Sequence, residues 1–351
     1  MPTTSAYSSD GTHYAVGFAN GFITIFNTSK WTAAYSFKGS KKSITAIAFS
    51  PNQELLVFGD MLGEIKIRIV AGDTSTEFVS FQAHADCISD LVFSPSGEQI
   101  ATASLDNKLG LWDVKSGDRV WSKSKSRRHE GASSVAFSPD GTQVASSGSD
   151  NVIRLWDIAS GKCKGELMGH DGPISKVLFS PGGHQLASAS SDKTVRVWSV
   201  QKRACENTFS GHSERVTSIA YSPDGQRLVS CSEDSTIRTW DPRSGGTGPI
   251  YRGHKDCVVG VVYSPDGKQF ASCSRDKTLR VYECRTAIKG AVIFGRTNTI
   301  SSGRYPYSTV KRRDDKNDKN TTSQPTIQNP RAATSTSSPF QGNGRVTRSP
   351  D

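Results

Sequence analysis

The chain has 351 residues, 34% of them hydrophobic, with 43 Lys and Arg against 33 Asp and Glu and a formal net charge of +10. That length holds one large domain or two ordinary ones with a sizeable core. The apolar runs are a few residues long, far short of the roughly 18 that a spanning helix needs, and the opening MPTTSAYSSDG has neither a basic n-region nor an apolar h-region.

In chain order, a turn signal recurs at Ser8 (SSDG), Ser50 (SPNQ), Ser94 (SPSG), Ser138 (SPDG), Ser180 (SPGG), Ser222 (SPDG) and Ser264 (SPDG), at intervals of 42, 44, 44, 42, 42 and 42 residues. One supersecondary unit is therefore used seven times. Within a unit, RVTSIAYS alternates apolar and polar with period two, PDG supplies Pro at the turn entry and Gly where φ must be positive, and QRLVSCS and STIRTW are short β-branched runs. A weaker fourth run precedes each new cycle, as in CENTFSGH. Four short strands cannot bury both faces alone, so the units must stack on one another.

Seven such sheets around an axis form a β-propeller, an architecture with periods of about 40 to 45 residues and G-H and W-D signatures. Those signatures stand at Gly169-His170, Gly211-His212 and Gly253-His254, and at Trp112-Asp113, Trp156-Asp157 and Trp240-Asp241. Over about residues 2 to 294 the chain resembles the WD-repeat (WD40) family. The resemblance implies an all-β, seven-bladed propeller of four-stranded antiparallel blades over 1–294. Beyond it, 295–351 reads as a disordered tail rich in Ser, Thr and Asn, where ten Lys and Arg stand against four Asp, so +6 of the net charge lies there.

His212, Ser230 and Asp234 offer the histidine, hydroxyl and carboxylate of nucleophilic acyl transfer. The trio recurs, however, as His84, Thr102, Asp106; His129, Ser146, Asp150; His170, Ser188, Asp192; and His254, Ser272, Asp276, each with an aromatic residue six positions after the Asp: Trp112, Trp156, Trp198, Trp240 and Tyr282. An enzyme needs one such site, and five copies point to a structural device. In the resembled family these types form a hydrogen-bonded chain, Trp to Ser or Thr to His to Asp, inside each blade. The chain shows no metal-ligand cluster, phosphate-cradling loop or unique nucleophile, so the expectation is a non-enzyme with no cofactor and no metal.

The seven cysteines (Cys87, Cys163, Cys205, Cys231, Cys257, Cys273, Cys284) are odd in number and never fall as C-x-x-C, which points to reduced, structural thiols. The second unit departs from the pattern with Ser40, Leu62 and Arg68 at the His, Asp and Trp positions, and the first has Asn20 and Phe26. These two blades are expected to be the least rigid. WD-repeat rings usually close with the N-terminal segment as the outermost strand of the last blade, whereas this chain begins inside an inner strand, so that strand is expected from about Ala287 to Phe294. A piece of a longer chain is the alternative reading.

The family commonly binds partners on the narrow face, around the channel mouth, with the third residue after the corner histidine and the residue before the tight-turn Asp. Carried over, the first set is Ser43, Cys87, Ala132, Pro173, Arg215 and Cys257, and the second Leu105, Ser149, Ser191, Glu233 and Arg275. Arg215, Glu233, Arg275 and Leu105 are the expected contacts. The implied function is a non-catalytic scaffold or adaptor for other proteins or peptide segments, with no membrane partner. Two alternatives stay open: the sensor ring of a larger nucleotide-binding switch protein, and nucleic-acid or chromatin association through the basic tail. In that tail KRRDDKNDK, Lys311 to Lys319, is a weak nuclear-import candidate, and Ser338-Pro339 and Ser349-Pro350 match proline-directed phosphorylation. The expected compartment is the cytoplasm, or the nucleus if that run acts as an address; the sequence does not indicate an oligomeric state.

Overall fold

The computed structural model describes residues 1–71, 74–124 and 131–284, and a strand at Ile300–Ser301. Seven four-stranded antiparallel sheets follow one another along the chain, and in each the strand order in space is the order in sequence. The expected alternation produces the innermost strands: Pro2–Tyr7, Ile44–Phe49, Ile88–Phe93, Ala132–Phe137, Ile174–Phe179, Val216–Tyr221 and Val258–Tyr263. Each packs on the innermost strands of the blades before and after it, and the first meets the seventh, so the ring is closed. These strands line a central channel of about 590 Å³.

The hydrophobic core is divided among the seven interfaces between blades. Between blades 5 and 6, for example, Ala187, Val195, Val197 and Phe209 meet Val216, Ile219, Leu228 and Trp240, and across the closing seam Ala271, Cys273, Leu279 and Val281 meet Tyr14, Val16, Phe26 and Trp31. The small residues at one register position, Ser147, Ala189, Cys231 and Cys273, are all fully buried. Burial pushes the Cys273 thiol up to about 11 and Cys231 higher still, which keeps both protonated and inert.

The SPDG turns also join blades. Each turn's serine accepts a backbone N–H five residues on, as Ser222 does from Arg227 (2.9 Å). The positive-φ glycines Gly97, Gly141, Gly183, Gly225 and Gly267 sit against Pro51, Pro95, Pro139, Pro181 and Pro223 of the preceding blade, and Gly11 sits against Pro265 across the closing seam; between blades 1 and 2 the Ser9 hydroxyl donates to the Pro51 carbonyl instead (2.7 Å).

In the last blade, the strand that pairs with Thr278–Glu283 is Ile300–Ser301, in register Thr278 to Ser301 and Leu279 to Ile300. The expected strand at Ala287 to Phe294 lies outside the described residues, as does the tail from 302.

Candidate protein-docking face

A meander of four strands places the start of its first strand and its second-to-third turn on the same end of the sheet. In all seven blades these two points are tied by one backbone bond: the N–H of Ala19, Met61, Leu105, Ser149, Ser191, Glu233 and Arg275 donates to the carbonyl of Met1, Ser43, Cys87, Gly131, Pro173, Arg215 and Cys257, respectively, at 2.8 to 3.3 Å. Two rim positions per blade therefore surround one mouth of the channel.

This pairing corrects one carried-over position. Blade 4 is one residue shorter after its histidine, so Ala132 opens the innermost strand, fully buried and paired with Gly148, and Gly131 takes the rim place. Ala132 cannot touch a partner there.

Side-chain chains brace the rim from beneath. In blade 5 the Trp198 indole N–H donates to Ser188 Oγ (2.8 Å), Ser188 meets His170 Nε2 (2.7 Å), and His170 Nδ1 meets Asp192 (2.6 Å). Blade 6 repeats this with Trp240, Ser230, His212 and Asp234, each link at 2.8 Å. Blade 3 uses Trp112 to Thr102 (2.9 Å), Thr102 to His84 (2.7 Å) and His84 to Asp106 (3.1 Å). A hydroxyl that accepts from the indole has its own proton left for His Nε2, so Nδ1 carries the ring proton and donates to the carboxylate. The Asp then gathers both ends of the rim: Asp192 accepts the N–H of Asp171 (3.1 Å) and of Thr194 (2.9 Å).

Electrostatics follow this geometry. Burial alone would raise the Asp192 and Asp234 carboxyls, yet the histidine and threonine donors outweigh it and hold both well below the usual range. Asp276 is held low in the same way, chiefly by Thr278 and the Lys255 N–H. Burial pushes His84 and His254 below the ordinary imidazole value, against the opposing pull of Asp106 and Asp276.

Besides blade 1, with Asn20 and Phe26 in these places, three more blades vary the scheme. In blade 7 Ser272 meets His254 (2.8 Å), which meets Asp276 (2.9 Å), but the buried Tyr282 hydroxyl has no hydrogen-bond partner among the described residues; its ring stacks on Phe270, centroids 5.1 Å apart. In blade 4 Trp156 donates to Ser146 (2.8 Å) and Asp150 pairs with Arg154, which also reaches Glu166 (2.8 Å); His129 lies outside the described residues. Blade 2 lacks the family residues yet has a corner of its own. Buried Asp60 accepts from Ser40 Oγ (2.6 Å) and from the N–H of Leu62 (2.8 Å) and Glu64 (3.1 Å), and Arg68, at the Trp position, lies 4.6 Å over the Phe37 ring of blade 1.

On the rim, Arg215, Glu233 and Arg275 project from adjoining blades 6 and 7 around the buried Cys257, whose thiol burial raises and the Arg275 charge lowers. Arg215 Nε donates to Ser175 Oγ on the channel wall (3.0 Å). Leu105, half exposed, stands apart from them in blade 3, close over Gly131. Sequence reasoning passed over its companions: Met1, Met61 and Leu62 are as exposed as Leu105 and share its side of the mouth. It also passed over Asp90 and Lys176, on the channel wall. Asp90 accepts from Ser134 Oγ (2.6 Å), the Val135 N–H (3.0 Å) and Lys176 Nζ (2.8 Å), so blades 3, 4 and 5 are clipped together. The signal was available in the aligned strands, whose third positions read Thr4, Ala46, Asp90, Ser134, Lys176, Ser218 and Gly260: two opposite charges among small residues.

No curated protein matches the sequence. The family model for the WD domain, G-beta repeat, matches six times, at residues 31–67, 75–113, 122–157, 161–199, 203–241 and 247–283. Each match starts in or just before the outermost strand of one blade and ends at the third strand of the next, so blade 1 supplies the start of the first match and its own first three strands precede it. With most of the chain matched in register with the observed blades, the protein belongs to the WD40 repeat family of β-propellers.

Proposed function

We propose that the chain is a non-catalytic scaffold or adaptor that holds other proteins or peptide segments on the face carrying Arg215, Glu233, Arg275 and Leu105. WD40 propellers are generally non-catalytic and generally bind proteins or peptides. The observation that carries the reading is a contrast on this rim: its backbone is fixed in every blade, while large side chains stand exposed on it. A preorganised backbone with uncommitted side chains suits recognition, because little entropy is lost on binding.

The test is affinity capture from the native cells with wild type and with an Arg215→Glu, Arg275→Glu variant, whose substitutions leave the blade networks intact. Discrete partners held by wild type and lost by the variant, at equal melting temperature, are the expected result. Identical captures would remove this face from the account.

A further inference from the structure

We propose that this face, taken as the docking site above, binds a linear peptide carrying an acidic and a bulky apolar side chain, the acid over blades 6 and 7 and the apolar group over blades 1 to 3. Two observations divide the rim in this way. Of the eight large hydrophobic side chains exposed among the described residues, four, Met1, Met61, Leu62 and Leu105, flank this one mouth on consecutive blades. Exposed apolar side chains gathered at one place mark an interaction surface.

The other arc is charged and favours an anion. Among the described residues Arg215 uses only Nε, toward Ser175, and Arg275, Lys255 and Lys277 form no ion pair. Their acidic neighbours are partly committed: Glu214 lies 3.8 Å from Lys193, and Asp256 accepts the Cys257 N–H at 2.6 Å. Glu233 and Asp256, which keeps its charge, remain exposed against two arginines and two lysines, while the carboxylates of Asp234 and Asp276 are buried at their histidines. A guanidinium fork with open Nη groups matches a carboxylate. The chain's own tail, with ten basic and four acidic residues from Gly295 onward, has the wrong sign for this arc.

The experiment pans a random-peptide display library on the full-length protein and measures the hits as synthetic peptides by fluorescence anisotropy. The hits should pair Asp or Glu with Leu, Ile, Met or Phe. Exchanging the peptide's acid for Lys should weaken binding at least tenfold, a test that needs no altered protein. Arg215→Glu, Arg275→Glu should reverse that preference, and Leu62→Ser, Leu105→Ser should weaken binding while leaving the dependence on the acid. Hits lost in the arginine variant but indifferent to their own acid would overturn the peptide chemistry and leave the docking face standing. No hits, or hits indifferent to both variants, would overturn both. Competition by a synthetic 302–351 peptide, or self-association abolished by the arginine variant, would overturn the proposal by naming another occupant.

Discussion

At the scale of single residues, the corner networks concentrate stability in a few buried atoms. Ser188 serves two partners at once, so Ser188→Ala leaves the Trp198 N–H and His170 Nε2 without their bonds. At about 1–3 kcal/mol per stranded group, the urea midpoint should fall by the equivalent of about 2–6 kcal/mol. The Asp90 and Lys176 clip is partly solvated, with the lysine side chain 33% exposed, so the Asp90→Asn, Lys176→Met double-mutant cycle should give a coupling of about 1 kcal/mol; a cycle that closes at zero would show that the pair does not clip the blades. Acid acts with one sign on the corners of blades 3, 5, 6 and 7. Asp192, Asp234 and Asp276 have folded pKa values below their unfolded ones; their contribution is complete above the unfolded value of about 4 and is lost as pH falls through the folded values. His84 and His254 are also depressed in the fold, so the unfolded chain takes protons first, below its ordinary value of about 6.5. Melting temperature should decline gently below that pH and steeply below about 4. A rise in melting temperature from pH 7 to 5 would contradict the histidine assignment, and a flat profile below about pH 4 would contradict the carboxylate one.

At the scale of strands and turns, the second-to-third turn of every blade needs a left-handed residue. Gly21 and Gly63 supply it in blades 1 and 2 and Asn107 and Asn151 in blades 3 and 4, whereas Lys193 and Lys277 adopt φ of 71° and 68° in blades 5 and 7. Asn tolerates this region better than Lys, so Lys277→Asn should stabilise by about 0.5 kcal/mol, visible as a small rise in melting temperature. The blade count, the strand order and the types of the corner residues were legible because period, alternation and turn chemistry repeat seven times and reinforce one another. What escaped lies where one copy departs from the rest. The one-residue shortening before Ala132 shifts its face only once the backbone pairing is seen, since a single slip in a strand exchanges buried for exposed. Asp60 replaces a missing histidine and aspartate from a different strand position, so a search by position reports a weakened corner where a new one has formed. The exposed Met61 and Leu62 read as drift in a damaged motif, because exposure depends on neighbours far along the chain.

At the scale of the whole molecule, six of the seven interfaces join blades that are also consecutive in the chain, and the seventh does not. At the seam between blades 7 and 1 the two halves are held by side chains: the apolar cluster around Trp31 and Val281, the Tyr14 hydroxyl on Ser5 (2.8 Å) with Ser5 beside Cys273 (3.7 Å), and Gly11 on Pro265. Because every described blade is built from its own stretch of chain, no described strand crosses this seam as a strap. Widening it by Val281→Ala should cost about 1–3 kcal/mol and should lower the first unfolding step more than the same change at an inner interface. The mechanical consequence follows from connectivity. Tension applied through Pro2 and Ser301 enters at the two blades that flank the seam, so the whole load falls on the one joint with no covalent link behind it. In a single-molecule pulling trace the ring should open there first, like a clasp, and the blades should then unravel one after another as a chain of separate links.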